Sequence, residues 1–287
     1  MRLKLAAAGY EAELAPGIGG AVLALRWCGR DILRPTPVPP SSVVATANFP
    51  LIPYANRIAG GHFDWDGKTI DLAILADFAP HALHGNGWLM GWDVLGQSDT
   101  SAAFGLTRSA EDWPSSWRGD QSFALTEAGL TQVLSVTNTG DHPMPAGLGF
   151  HPCFQLGGAP SVDFDAGQVW LVDDTQIPDR LSKPEVIACF KGGRSVRDAD
   201  RIDHCYVGWS GVALINTLAG RARLEASANA RHLHVYTPPG GANVCLEPVT
   251  HRPDAVHGQV GEMPVLAPGE TEVLTIRIGL DVSARPG

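Results

Sequence analysis

The feature that most restricts the fold of this chain is its punctuation. Glycine occurs 33 times and proline 22 times in 287 residues. Proline removes a helical hydrogen bond and glycine costs a helix backbone entropy, so closely spaced breakers leave room for short strands and turns but not for long helices. Between the breakers the pattern is period two. Ile70, Leu72 and Ile74 alternate with Thr69, Asp71 and Ala73; Ala222, Leu224 and Ala226 alternate with Arg221, Arg223 and Glu225; Leu274, Ile276, Ile278 and Leu280 alternate with Val273, Thr275, Arg277 and Gly279. Each pattern predicts a strand with one buried face. Asp66-Gly67 supplies the positive φ angles of a tight hairpin turn, and Ala128-Gly129 divides two further strand-like runs. One short helical turn is expected over 185–190, long loops over 35–53 and 173–201, and a frayed tail over 283–287. The expected fold is all-β: a large antiparallel β-sandwich formed as a single domain over residues 1–287.

Charge narrows the partners. With 21 basic and 30 acidic residues the net charge is −9, which disfavours nucleic acid and anionic membrane surfaces, both of which select basic proteins. No run approaches the roughly 18 uninterrupted apolar residues of a membrane span, and the apolar N-terminal run is too short for a signal peptide. A cytoplasmic protein, monomer or homodimer, is the resulting expectation. Five cysteines (Cys28, Cys153, Cys189, Cys205, Cys245) form no C-x-x-C pair. Free thiols are expected, with neither a disulfide framework nor a structural zinc site.

Polar residues in apolar, Gly/Pro-rich settings mark the candidate site. Asn56-Arg57 sits inside Pro50–Gly61, where a planar guanidinium could hold hydroxyls or orient a carboxylate; a surface position beside a hairpin is the alternative. His84 precedes Gly85-Asn86-Gly87, with Trp88 and Trp92 as possible platforms for a sugar ring. His81 and His84 have a metal-like spacing, but no third ligand lies nearby in sequence, so no metal is expected. His151 lies in Gly149-Phe150-His151-Pro152 and reads either as a core histidine or as an acid in a dry pocket. Glu247, at the end of an apolar strand and before Pro248, is costly to bury unless paired or working. Asp203 is a further candidate acceptor.

Taken together, Pro50–Ile58, Leu83-His84-Gly85, Gly149-Phe150-His151-Pro152, Asp203 and Glu247-Pro248 resemble the aldose 1-epimerases (galactose mutarotases) in order and approximate spacing. The resemblance implies a galactose mutarotase-like supersandwich with a monosaccharide in an open cleft and no cofactor. It implies Glu247 as general base, His151 as general acid and His84 as the second active-site histidine. Arg57 and Asp203 would hold the sugar, with Asn56 beside them. The residue after His151-Pro152 departs from the family, which often has an aromatic where Cys153 stands; His81 and the segment 250–257 match no family role.

The implied chemistry is ring opening by two opposed proton transfers, one at the anomeric hydroxyl and one at the ring oxygen, then reclosure on the other carbonyl face. Three other readings stay open. A hexose-6-phosphate 1-epimerase would need a basic phosphate pocket, with Arg118, Arg194 and Arg197 as the loop candidates. A carbohydrate-binding or sensing protein would need no acid–base pair. A glycoside hydrolase would use Glu247 with Asp203.

Overall fold

A computed structural model describes residues 1–196, 201–259 and 261–281. Two eight-stranded antiparallel sheets dominate. One runs in the order Asp93–Gln97, Ser101–Arg108, Trp117–Thr126, Gly129–Asn138, Thr271–Leu280, Gly220–Ala226, Val212–Thr217, Val162–Asp163. The other runs Pro178–Ser182, Gln168–Val172, Asp203–Val207, His232–Tyr236, Asn243–Val249, Gly149–Phe150, Pro50–Leu51, with Cys153–Gln155 also pairing to Asn243–Val249. A four-stranded N-terminal sheet, Leu3–Ala7 to Arg30–Asp31, and small hairpins complete the fold. Helical structure among the described residues is confined to three-residue 3-10 turns, as the density of breakers dictates.

The sheets form because their strands alternate. Leu274, Ile276 and Ile278 are buried, as are Leu130, Leu134 and Val136 on the neighbouring strand. They share one core with Leu233, Val235, Val244 and Leu246 of the second sheet. Since successive side chains point to opposite faces, the strands that send these residues into the core send His232, His234, Tyr236, Cys245, Glu247 and Val249 to the other face. Register then aligns them: Cys205, His234 and Glu247 form one cross-strand row, and Asp203, Tyr236, Cys245 and Cys153 the next.

Several local expectations need correction. The Asp66-Gly67 hairpin forms, but its second strand is Lys68–Asp71, so Leu72 and Ile74 lie beyond it and Ile74 is exposed. The predicted helical turn shrinks to Pro184–Val186, and the 173–201 stretch contains the strand Pro178–Ser182. The tail 283–287 lies outside the described residues. The five cysteines are not all free: Cys153 and Cys245 face each other in register, with Cα atoms 4.1 Å apart, and form a disulfide. Local spacing gave no hint of it, because the pairing is set by which strands become neighbours. Cys28, Cys189 and Cys205 are free. Among the described residues no helix is long and apolar enough to cross a membrane.

Candidate active site

Segments 49–57 and 81–85 border the polar face of the second sheet and leave a cavity of about 330 Å³. Its lining includes Asn56, Arg57, His84, His151, Asp203 and Glu247, together with Phe49, Arg34, His234 and Tyr236. A larger cavity, about 740 Å³, lies further along the same face around Val207 and His232 and contains none of the sequence-predicted residues.

Backbone geometry fixes the first loop pair. Asn56 and His84 both adopt left-handed backbone, φ 58° and 62°, and each bonds the other. The Asn56 amide donates to His84 Nδ1 at 2.9 Å, and the His84 amide donates to the Asn56 carbonyl at 2.9 Å. The next residue has to be glycine: at Gly85, φ 69°, an added Cβ would lie 2.2 Å from the Ile52 carbonyl oxygen. Because His84 Nδ1 accepts a backbone proton, its own proton resides on Nε2. Burial, reinforced by His151 and Arg57, holds the His84 imidazole well below its ordinary range, so it stays neutral and offers an N–H.

Asn56 acts mainly on its neighbour. Its Oδ1 accepts from the Arg57 amide at 2.9 Å and from the Arg57 guanidinium at 3.3 Å. Arg57 in turn donates to Asp203 Oδ2 at 3.0 Å, while His234 Nε2 donates to Asp203 Oδ1 at 2.6 Å. Burial alone would raise the Asp203 carboxyl, but the His234 bond and the Arg57 charge overcome it and hold the group well below the ordinary carboxylate range.

Glu247 and His151 form the opposite wall. Glu247 is 2% exposed, its Oε1 lies 3.1 Å from His151 Nε2, and its Oε2 has no hydrogen-bond partner. Burial, then the Asp203 charge, pushes its carboxyl well above the ordinary range, with Arg57 opposing. The His151 ring stacks on Phe49 at 4.5 Å between centroids and meets His84 edge-on at 5.6 Å. Burial, with the Arg34 and His234 charges adding to it, pushes its imidazole down to about 3. Both groups are thus displaced toward their uncharged forms from opposite sides, and one proton lies between them.

The same three side chains could hold a divalent ion. One potential ligand atom from each of His84, His151 and Glu247 lies within 4.8 Å of the others, a two-imidazole, one-carboxylate set. Sequence spacing had offered His81 as the metal partner of His84. His81 does not line the cavity; its Nδ1 accepts from the Gly60 amide at 3.1 Å. Trp88 is a second correction. It is 2% exposed, stacks behind Phe49 and donates to the Gly85 carbonyl, so it braces the wall and presents no platform to a sugar. Trp92 is likewise buried, bonded to the Gly87 carbonyl. Phe49 and Phe78 line the cavity instead.

Sequence reasoning missed His234, Arg34 and the clamp over 250–257. For His234 a signal existed: His232, His234 and Tyr236 are polar at every second position against Leu233 and Val235. In the clamp, His251 Nε2 accepts from the Ala55 amide, Asp254 Oδ1 accepts from the Ala59 amide, and the Asp254 amide donates to the Arg57 carbonyl. The segment with no family role thus holds the Arg57 loop in place. Of the arginines named for a phosphate pocket, Arg118 pairs with Asp120 away from the cavity, Arg194 does not line it, and Arg197 lies outside the described residues.

Residues 1–279 match the family model of aldose 1-epimerase. The Escherichia coli K12 protein YphB, itself uncharacterised, is 30% identical over 244 residues, covering 80% of this chain and 83% of its own. A crystal structure of a proposed aldose 1-epimerase from the same organism superposes with a TM-score of 0.88 at 26% identity, over 98% of this chain and 99% of that one. A galactose mutarotase-like protein from Clostridium acetobutylicum shares the fold, with a TM-score of 0.85 at 21% identity over 96% and 94% of the two chains. The polar row on the second sheet, its covering loops and the match along nearly the whole length lead to one assignment: the chain belongs to the aldose 1-epimerase family.

Proposed function

We propose that the chain is a mutarotase, interconverting the α and β anomers of an aldose, with Glu247 and His151 as its proton-transfer pair. The observation that carries this reading is the 3.1 Å contact between a buried carboxyl and a buried imidazole in the cavity wall, beside a histidine whose tautomer is fixed by the backbone. In the empty cleft the pair shares one proton. A pyranose placed with O1 against Glu247 and O5 against His151 interrupts that contact. With the shared proton on His151 and Glu247 as the carboxylate, Glu247 takes the O1 proton, the O1–H electrons form the C1=O1 bond, C1–O5 breaks, and O5 takes the proton from His151. Rotation about C1–C2 and reversal of the same transfers gives the other anomer. His84 Nε2–H donates to O5 and steadies the charge that develops there. Arg57 and Asp203, each engaged by neighbours, present fixed donors and acceptors to the hydroxyls.

Burial favours the uncharged form of both partners, so the carboxylate–imidazolium arrangement is the less populated one in the empty cleft. Microscopic reversibility requires each group to serve as acid and as base, and a carboxyl and an imidazole that share one proton can each do so.

The arrangement argues against two alternatives. A hydrolase built on Glu247 and Asp203 needs two free carboxyls, whereas both Asp203 oxygens are engaged by His234 and Arg57. A binding protein gains nothing from burying an acid with an unpartnered oxygen, which costs stability. Anomer exchange followed by polarimetry or NMR across a panel of aldoses tests the reading. Acceleration by the wild type and its loss in Glu247→Gln are expected; full activity in that variant would remove Glu247 from the mechanism.

A further inference from the structure

The proposed chemistry leaves the larger cavity without a role. At about 740 Å³ it has more than twice the volume of the catalytic cleft, about 330 Å³. It lies on the same face of the second sheet. Cys205, His234 and Glu247 form one cross-strand row, and Val207, His232 and Val249 form the row two residues further along the strands, a step of about 7 Å. Val207 and His232 line the larger cavity.

Its lining repeats the plan of the sugar-holding wall. In the cleft, Arg57 pairs with Asp203, and the strand His232–Tyr236 supplies His234. In the larger cavity, Arg252 Nε donates to Glu262 Oε2 at 2.7 Å, and the same strand supplies His232. The difference lies in the histidine. His234 gives its Nε2 to Asp203, whereas His232 Nδ1 is buried and has no hydrogen-bond partner among the described residues. A buried ring nitrogen left open costs stability until something bonds it. Around these groups lie two indoles. The Arg252 guanidinium sits 5.0 Å from the centroid of the Trp170 ring, and Trp209 is anchored by its Nε1 to the Val212 carbonyl at 2.9 Å. The charged lining residues are two arginines, Arg231 and Arg252, and two glutamates, Glu262 and Glu272, so the cavity has no net charge with which to select an ion.

We propose that this cavity is a second saccharide site, separate from the catalytic cleft, and that it takes a neutral saccharide of two rings. Hydrogen-bonding side chains held beside indole surface suit hydroxyls on the one hand and the C–H faces of pyranose rings on the other. Volume sets the number of rings, because a cleft less than half as large holds one ring in the mutarotase reading. The inference rests on that reading for its ligand class and adds a site to it.

The probes are methyl β-maltoside and methyl β-cellobioside, disaccharides blocked at O1 that the proton-transfer pair cannot open. Calorimetric titration of the wild-type chain should show saturable binding of at least one of them, about tenfold tighter than methyl α-glucoside, its one-ring counterpart. In His232→Ala the affinity should fall about tenfold. A crystal structure of the wild type with the bound glycoside needs no variant and should place it against Trp170 and His232. No binding, a glycoside found only beside Glu247, or undiminished binding in His232→Ala overturns the second site; equal affinity for the one-ring glucoside overturns the two-ring class. Anomer exchange of glucose and galactose by the same preparation keeps the two readings apart. Exchange without glycoside binding removes the second site and leaves the mutarotase standing, and a glycoside seated at His232 with no exchange does the reverse.

Discussion

The cleft has two walls built on opposite electrostatic plans. On one, Arg57, Asp203, His234 and Asn56 form a chain in which the charge of Arg57 meets that of Asp203 and both Asp203 oxygens are occupied. On the other stand Glu247, His151 and His84; Glu247 is more deeply buried than Asp203, and it keeps one oxygen unpartnered while its other oxygen lies against an imidazole. The two carboxyls shift in opposite directions. Where partners are supplied, the carboxyl of Asp203 is driven down and locked as an anion. Where they are withheld, that of Glu247 is driven up and left able to gain or lose a proton. A satisfied network makes a rigid holder; an unsatisfied pair makes a reactive one at a cost in stability.

The contrast is open to direct attack, and the largest expected effect is at Glu247. Glu247→Gln should reduce kcat by about 10²–10⁴-fold while raising thermal stability at neutral pH, read by calorimetry, because an unpaired buried acid is removed. Loss of stability would mean that Glu247 is a paired structural residue like Asp203. On the other wall, Asp203→Asn should cost roughly 2–4 kcal/mol by denaturant titration, since it strands Arg57 and His234, and should raise KM more than it lowers kcat. An equal or larger loss in kcat would place Asp203 in the chemistry.

The walls should also titrate in opposite senses. Glu247, raised in the fold, contributes stability that is full below its unfolded pKa and is lost as pH rises through the folded value. Asp203, depressed, contributes stability that is present above its unfolded pKa and is lost as pH falls toward the folded one. Stability measured against pH should therefore lose its alkaline-side slope in Glu247→Gln and its acid-side slope in Asp203→Asn. Identical profiles in the two variants would dissolve the comparison.

A chelator distinguishes proton transfer from a metal held by His84, His151 and Glu247. Dialysis against EDTA should leave the exchange rate unchanged; loss that zinc restores would reassign the wall. The smallest effect belongs to Trp88: Trp88→Phe should cost about 1–3 kcal/mol of stability, as a buried truncation does, and leave KM for the sugar unchanged.

The legibility of the site followed its local chemistry. His84, His151 and Glu247 could be read because glycine or proline flanks each one, and Gly85 is required by the Ile52 carbonyl against which its backbone lies. The large antiparallel architecture followed from breakers and alternation. What depended on register could not be read. Cys153 and Cys245 are 92 residues apart and meet because their strands pair; His234 and Arg34 enter the cavity through the same pairings. Trp88 shows the complementary failure: an aromatic next to a candidate histidine says nothing about which side of the wall it takes, and here it fills the space behind Phe49.

One further consequence lies in the strand Asn243–Val249. It runs between His232–Tyr236 on one side and Gly149–Phe150 and Cys153–Gln155 on the other. On the ribosome, Arg57, His84, His151 and Asp203 all emerge before it does. Of the residues that line the cleft, Glu247 is therefore the last to be synthesised, and the proposed proton-transfer pair is complete only once the strand that carries it lies between these neighbours.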